Sequence, residues 1–230
     1  LLWVDAGPQA GLGHLQRCLA LAIALREAGV SCRVLTSKDA AVQRRVTALG
    51  FEAHGIDGAA SDVARAVEAA LRDEVEVVVV DSYRAGADDL EALRAAGAFV
   101  VAVDDLASHP FPCHLVVNGG AHAEELRYTS PSADTACLLG PRYALLRPEL
   151  WDVPPRAART VLRHLLVTLG GADAYNLMPK LLRGAEILAA DVGVTAVVGP
   201  FFERRREITR ATEVSRRTVR LVSDPTSVRD

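Results

Sequence analysis

Short apolar runs alternate along this chain with segments whose apolar positions recur three or four residues apart, the pattern of strands interleaved with amphipathic helices. The first run, Leu1-Leu2-Trp3-Val4, closes at Asp5. A glycine-rich turn, Gly11-Leu12-Gly13, then leads into a helix carrying Leu15, Leu19, Ala22 and Ile23. A strand over 31–36, a helix over 40–49, a strand over 51–56 and a helix over 62–71 follow. The run from Val75 to Asp81 is the clearest buried strand, because a parallel strand covered on both faces shows unbroken β-branched residues rather than alternation. Strands at 99–103, 114–118 and 136–140 complete this part, with no element assigned between Tyr83 and Phe99. The order β-α-β-α-β predicts an α/β fold with a parallel sheet and helices on both faces.

The segment Trp151-Asp152-Val153-Pro154-Pro155-Arg156 has the composition of a linker, since paired prolines continue neither helix nor sheet. Beyond it the opening device repeats. A strand over 162–169 meets Gly170-Gly171-Ala172-Asp173-Ala174-Tyr175-Asn176 and then a helix over 177–190. A strand over 194–198, a helix over 203–212, a strand over 218–222 and a helical start within 224–230 come last. The expected organisation is a first domain over 1–150, a linker over 151–160 and a partial second domain over 161–230. Three strands and two helices make an incomplete doubly wound unit, so a fragment or an unusually short natural variant is expected.

Composition narrows the class. Hydrophobic residues make up 50% of the 230 and aromatic residues only 5%, which suits an Ala/Val/Leu-rich α/β core. A net charge of −3 and a pI near 6.1 leave no global basic field for nucleic acid. Cys18, Cys32, Cys113 and Cys137 lack C-x-x-C or zinc-like spacing and read as buried thiols of a reducing compartment, so neither metal nor cofactor is implied. No run is long enough to span a membrane and the opening run lacks signal-peptide features, which makes the cytoplasm the expected location.

Candidate chemistry gathers where strands end. Glycines let a backbone approach a ligand closely, and the amides opening a helix carry the positive end of its dipole, which suits anionic or polyhydroxylated ligands. That field favours the neutral imidazole a general base requires, so His14 is the first catalytic candidate. The competing reading is a capping turn with His14 as a polar turn residue. Ligands of open α/β sheets bind beyond the carboxyl ends of the strands, where Asp5, His14, Tyr83 and Asp104 are expected to line one crevice. For Asp81, Asp104 and Asp105 the alternative is simple capping of the element that follows.

Taken together, Asp5-Ala6-Gly7 followed by Gly11-Leu12-Gly13-His14 and Arg17-Cys18-Leu19-Ala20-Leu21-Ala22, then Asp81-Ser82-Tyr83 and Asp104-Asp105 with Asn118, resemble a known group. Leu139-Gly140-Pro141-Arg142-Tyr143 and Thr168-Leu169-Gly170-Gly171-Ala172-Asp173 with Asn176 extend the likeness over essentially the whole chain. The group is the UDP-sugar hydrolases of pseudaminic acid biosynthesis and the related spore-coat polysaccharide proteins, themselves similar to the lipid II glycosyltransferase of peptidoglycan synthesis. The resemblance implies two Rossmann-like domains of GT-B type facing each other across a cleft, the second here truncated. It implies that water attacks the anomeric carbon of a UDP-linked diacetamido-trideoxy sugar and that UDP leaves.

On the same resemblance His14 is the base and Tyr83 a catalytic residue of the sugar site. Asp5, Gly11, Gly13, Arg17, Asp104, Asn118 and Arg142 are expected at the substrate, and Gly170, Gly171, Asp173 and Asn176 at the nucleotide. Two departures stand out. Trp3 occupies a position where arginine is expected, and a later glycine-rich loop with the acidic residue for the ribose would lie beyond Asp230. The alternatives are a GT-B glycosyltransferase, in which His14 activates an acceptor hydroxyl instead of water, and an inactive sugar-nucleotide-binding remnant.

Overall fold

The structure, a computed structural model, describes residues 1–56, 60–72, 75–155, 157–158 and 160–225. Arg156 and Arg159 of the expected linker, and the expected helical start from residue 226 onward, lie outside the described residues. By its contacts the chain divides into two units, Leu1–Ala6 with His14–Pro148, and Gly7–Gly13 with the residues from Glu149 onward.

In the first unit the strands are β1 (Leu2–Val4), β2 (Arg33–Ser37), β3 (Glu52–Ile56), β4 (Val77–Asp81), β5 (Phe99–Val103), β6 (Leu115–Asn118) and β7 (Ala136–Leu139). They form one sheet in the order β3-β2-β1-β4-β5-β6-β7, with every pairing parallel. The helices are α1 (Gly13–Glu27), α2 (Ala40–Ala48), α3 (Ala60–Arg72) and α4 (Ala87–Ala95). Local chemistry sets their ends. Asp39 caps α2 by accepting from the amides of Ala41 and Val42, and α1 stops where Gly29 turns left-handed at φ 84°.

Helix α4 has no counterpart in the sequence reading. Its nine residues bury only Leu90 and Leu93, too few apolar positions for a period to show. Its start is fixed instead by the carboxylate of Asp89, which accepts from the amide of Gly86 at 2.8 Å. Leu90 and Leu93 then pack with Val78, Val80, Val100 and Ala102 in the main core of the unit. Trp3 belongs to that same core and is 1% exposed. At a position where an arginine was expected at the sugar, this chain places a packing residue, whose indole Nε1 makes no hydrogen bond among the described residues.

The second unit carries β8 (His164–Thr168), α5 (Met178–Gly184), β9 (Gly193–Val198), α6 (Arg205–Glu213) and β10 (Val219–Ser223), with the strands parallel in the order β10-β9-β8. The helix expected over 177–190 is shorter, because α5 ends at Gly184 and the chain tightens into a 3-10 turn over Ala185–Ile187. Met178, Leu182, Ile208 and Phe202 pack with Val194, Ala196 and Val198 in its core.

A Cβ on Gly199 would lie 2.4 Å from the carbonyl oxygens of both Gly170 and Gly171, backbone atoms that cannot give way cheaply. Gly184 has helical angles and open space around its missing Cβ. Thermal melts of the two alanine variants should therefore move apart. Gly199→Ala should lose about 1–3 kcal/mol through overpacking, and Gly184→Ala should be neutral or gain up to about 1 kcal/mol through helix propensity.

Candidate active site

The first unit ends its strands on one polar edge, and the deepest group there is a carboxylate. Asp81 closes β4, is fully buried, and lies level with Val4 of β1 across the parallel pairing. That register sets it beside the first turns of α1. His14 Nδ1 is 2.6 Å from Asp81 Oδ1, and Cys18 donates its thiol to Oδ2 at 3.4 Å. Arg17 donates through Nη2 to Oδ1 and through Nε to Oδ2, each at 2.6 Å. His14, Arg17 and Cys18 face the carboxylate together because residues three and four apart share one face of a helix.

Burial by itself would raise the Asp81 pKa, but the hydrogen bonds from Arg17 and His14 outweigh it and hold the carboxyl below its usual range. An ionised Asp81 only accepts, so the short contact requires the proton on His14 Nδ1. Arg17 Nη2 also lies 3.1 Å from Nδ1. As guanidinium has no acceptor, both nitrogens donate to the shared oxygen Oδ1 and that third distance is a packing contact. The Nε2 lone pair of His14 is left without a hydrogen bond among the described residues. A histidine with Nδ1–H on a buried aspartate and a free Nε2 is arranged to take a proton.

Arg17 extends the site to the neighbouring strand end. Its Nη1 donates to both oxygens of Asp105, each at 2.8 Å, just past β5. Tyr83 donates its phenol to Asp105 Oδ2 at 2.9 Å and stands edge-on to His14, with ring centroids 4.5 Å apart. Burial first, and then the bond to Asp105, raises the Tyr83 pKa to about 12, so the phenol keeps its proton at neutral pH. A pocket of about 250 Å³ opens beside Arg17 and Asp105, floored by Val103 and Val117 and rimmed by Gly119, Gly120 and Tyr143.

The remaining sequence candidates fall into other groups. Asp5 accepts from Ser82 Oγ at 2.9 Å and from Arg84, which also reaches Asp62. Asp104 accepts the amides of Leu106 and Ala107 and the phenol of Tyr128, which itself accepts from Asn118 Nδ2 at 2.8 Å. Arg142 sits in a 3-10 turn with its guanidinium over the Tyr143 ring. Gly7 and Gly11 close a small loop through two backbone hydrogen bonds, Gly11 at φ 72°, while Gly13 opens α1 with free space above it.

In the second unit Asp173 accepts the amides of Leu177 and Met178 at the start of α5. Asn176, at φ 50°, donates to Glu207. Gly171 lies so close to Leu12 that a Cβ would come within 2.9 Å of its backbone nitrogen.

Sequence reasoning brought His14, Arg17 and Tyr83 forward but left Asp81 and Asp105 with capping as a competing role. Among the described residues the Asp81 side chain accepts no backbone amide and so caps nothing. The available signal was an acidic residue at the end of each of two valine-rich strands, which a parallel pairing makes neighbours.

Because the folded-state pKa of Asp81 is depressed, its ionisation stabilises the fold fully above the unfolded carboxylate value of about 3.9, and that contribution is lost as pH falls from there through the folded value. Urea midpoints measured from pH 6 down to pH 2.5 should fall steeply for the wild type. In Asp81→Asn, which is less stable at neutral pH because Arg17 loses its buried partner, the same decline should be shallower.

No protein-family model matches the chain. An uncharacterized protein of Methanocaldococcus jannaschii is 25% identical over 216 residues, which is 89% of this chain and 43% of that protein, so the chain spans less than half the length of this curated relative. Among solved structures, MurG of Acinetobacter baumannii matches 99% of the chain and 66% of its own length, with a TM-score of 0.55 and 18% identity. A glycosyltransferase of Rickettsia africae ESF-5 matches 99% of the chain and 68% of its own, with a TM-score of 0.61 and 12% identity. The chain thus has a mixed α/β fold that it shares with these two glycosyltransferase structures.

Proposed function

We propose that the chain carries the base-bearing part of an enzyme that transfers a sugar from a nucleoside diphosphate to an acceptor hydroxyl. The acceptor oxygen attacks the anomeric carbon, its proton passes to His14 Nε2, and the bond from that carbon to the diphosphate breaks with the electron pair leaving on the phosphate oxygen. The observation that carries this reading is the buried Asp81–His14 pair, which holds the ring proton on Nδ1 and leaves Nε2 basic. Arrangement on a GT-B glycosyltransferase fold supports transfer ahead of the hydrolysis expected from the sequence resemblance. Tyr83, protonated and anchored on Asp105, serves as a fixed hydrogen-bonding wall for the bound sugar or acceptor.

Nucleotide binding by Gly170, Gly171, Asp173 and Asn176, and UDP as the nucleotide, rest on the resemblance. So does the diacetamido-trideoxy sugar, which neither structural neighbour supports. No described helix is long and apolar enough to cross a membrane, and all four cysteines are free thiols, though only Cys18 and Cys113 are buried as expected, Cys32 being half-buried and Cys137 exposed. Both observations fit the cytoplasmic setting we propose.

The experiment is release of UDP from a UDP-sugar by the full natural protein, with and without candidate sugar or lipid-linked acceptors. Release that requires an acceptor supports transfer, whereas equal release without one makes water the acceptor and returns the reading to hydrolysis. His14→Ala should lower turnover about 10²- to 10⁴-fold, the usual contribution of a positioned base, while calorimetry shows UDP affinity unchanged. Wild-type turnover in that variant would remove His14 from the mechanism.

A further inference from the structure

Arg17 was expected at the substrate, yet its donors point elsewhere. Nε and Nη2 grip both oxygens of Asp81, and Nη1 grips both oxygens of Asp105. The two carboxylates come from the ends of adjacent strands, and each orients one of the residues read above as functional: Asp81 holds the His14 ring and Asp105 holds the Tyr83 phenol. Without a cation between them they would repel one another. The charged and titratable groups around His14 are Asp81 from β4, Arg17 and Cys18 from α1, Tyr83 just past β4, and Asp105 past β5, held through Arg17 and Tyr83. Among the described residues Arg17 is the one group bonded to both carboxylates.

We propose that Arg17 is a positioning residue that couples Asp81 to Asp105, and through them fixes the Nδ1–H tautomer of His14 and the orientation of Tyr83, with no direct role in holding substrate. The forked geometry matters more than the charge. A guanidinium grips two carboxylates with parallel paired bonds, whereas an ammonium is a compact charge without that planar fork. Burial by itself would lower the Arg17 pKa, but its bond to Asp81 and the charges of both carboxylates raise it above the ordinary value, so the clamp stays charged at every working pH. This inference rests on the reading of His14 as the base, and its first measurement needs no substrate.

Long-range ¹⁵N–¹H spectra of the ligand-free, full-length protein report which ring nitrogen of each histidine carries the proton, and His14→Gln identifies the signals of residue 14. In the wild type His14 should show protonated Nδ1 and bare Nε2. In Arg17→Gln and Arg17→Lys the Nδ1 signal should move toward a mixture of tautomers. With a UDP-sugar and its acceptor, kcat should fall about 10²-fold, the scale of a catalytic group displaced by about 1 Å, with KM within about twofold of wild type.

Arg17→Gln leaves Asp81 without its buried partner. If that variant fails to fold, Arg17→Lys decides alone, because it keeps the charge and loses only the fork. An unchanged His14 spectrum in the folded variants, or a rise in KM without loss of kcat, overturns the proposal. A shifted spectrum in a protein that neither transfers the sugar nor releases UDP in any form supports the coupling and overturns the enzymatic reading instead.

Discussion

A carboxylate with no access to water must be compensated where it stands, and the edge of the first unit is arranged around that requirement at Asp81. Its two oxygens receive four hydrogen bonds, from His14, Arg17 twice, and Cys18. Removing Arg17 would leave a buried carboxylate without its cationic partner, which costs several kcal/mol. That penalty is what makes the arrangement rigid. The histidine does not merely lie near an acid. It is held by an acid that has no alternative solvent partner, which is how a ring keeps one tautomer.

The sheet supplies the geometry. Parallel pairing brings Val4 of β1 level with Asp81, and Val80 of β4 level with Ala102 of β5. The residues just beyond these strands therefore open on the same edge. Helix α1, which follows β1, arrives against the end of β4, and Asp105 follows β5 within reach of the same arginine. Connections in parallel sheets return every strand in the same direction, so polar groups far apart in sequence are gathered without any of them having to be near in chain. Helix α4 and the buried Trp3 stabilise that edge from behind, packing on Val78, Val80 and Ala102.

Much of this was legible from the chain. Unbroken valine runs and the three-to-four spacing in α1 to α3 follow from local burial, which a one-dimensional pattern records directly, and strand ends fell within about two residues of their observed places. The glycine turn before His14 announced a strand-to-helix corner with a histidine at its mouth. The α/β alternation, the parallel sheet and the gathering of polar groups at the strand ends could all be read from the chain alone. Helix α4 stayed hidden because two buried leucines are too few to define a period.

Which acidic residue would serve His14 was settled only by the tertiary structure. Asp5, Asp81, Asp104 and Asp105 all stand at the ends of apolar strands and look alike in sequence, and for the last three capping competes with holding a side chain. Their fates diverge: Asp5 takes Ser82 and Arg84, Asp104 takes two loop amides and Tyr128, Asp81 takes His14 and Arg17, and Asp105 takes Arg17 and Tyr83. The reason is that the bonds of His14 to Asp81, Arg17 to Asp105 and Ser82 to Asp5 join residues more than sixty positions apart, so they depend on strand register and order, which are set by the packing of the whole sheet rather than by any local run of residues.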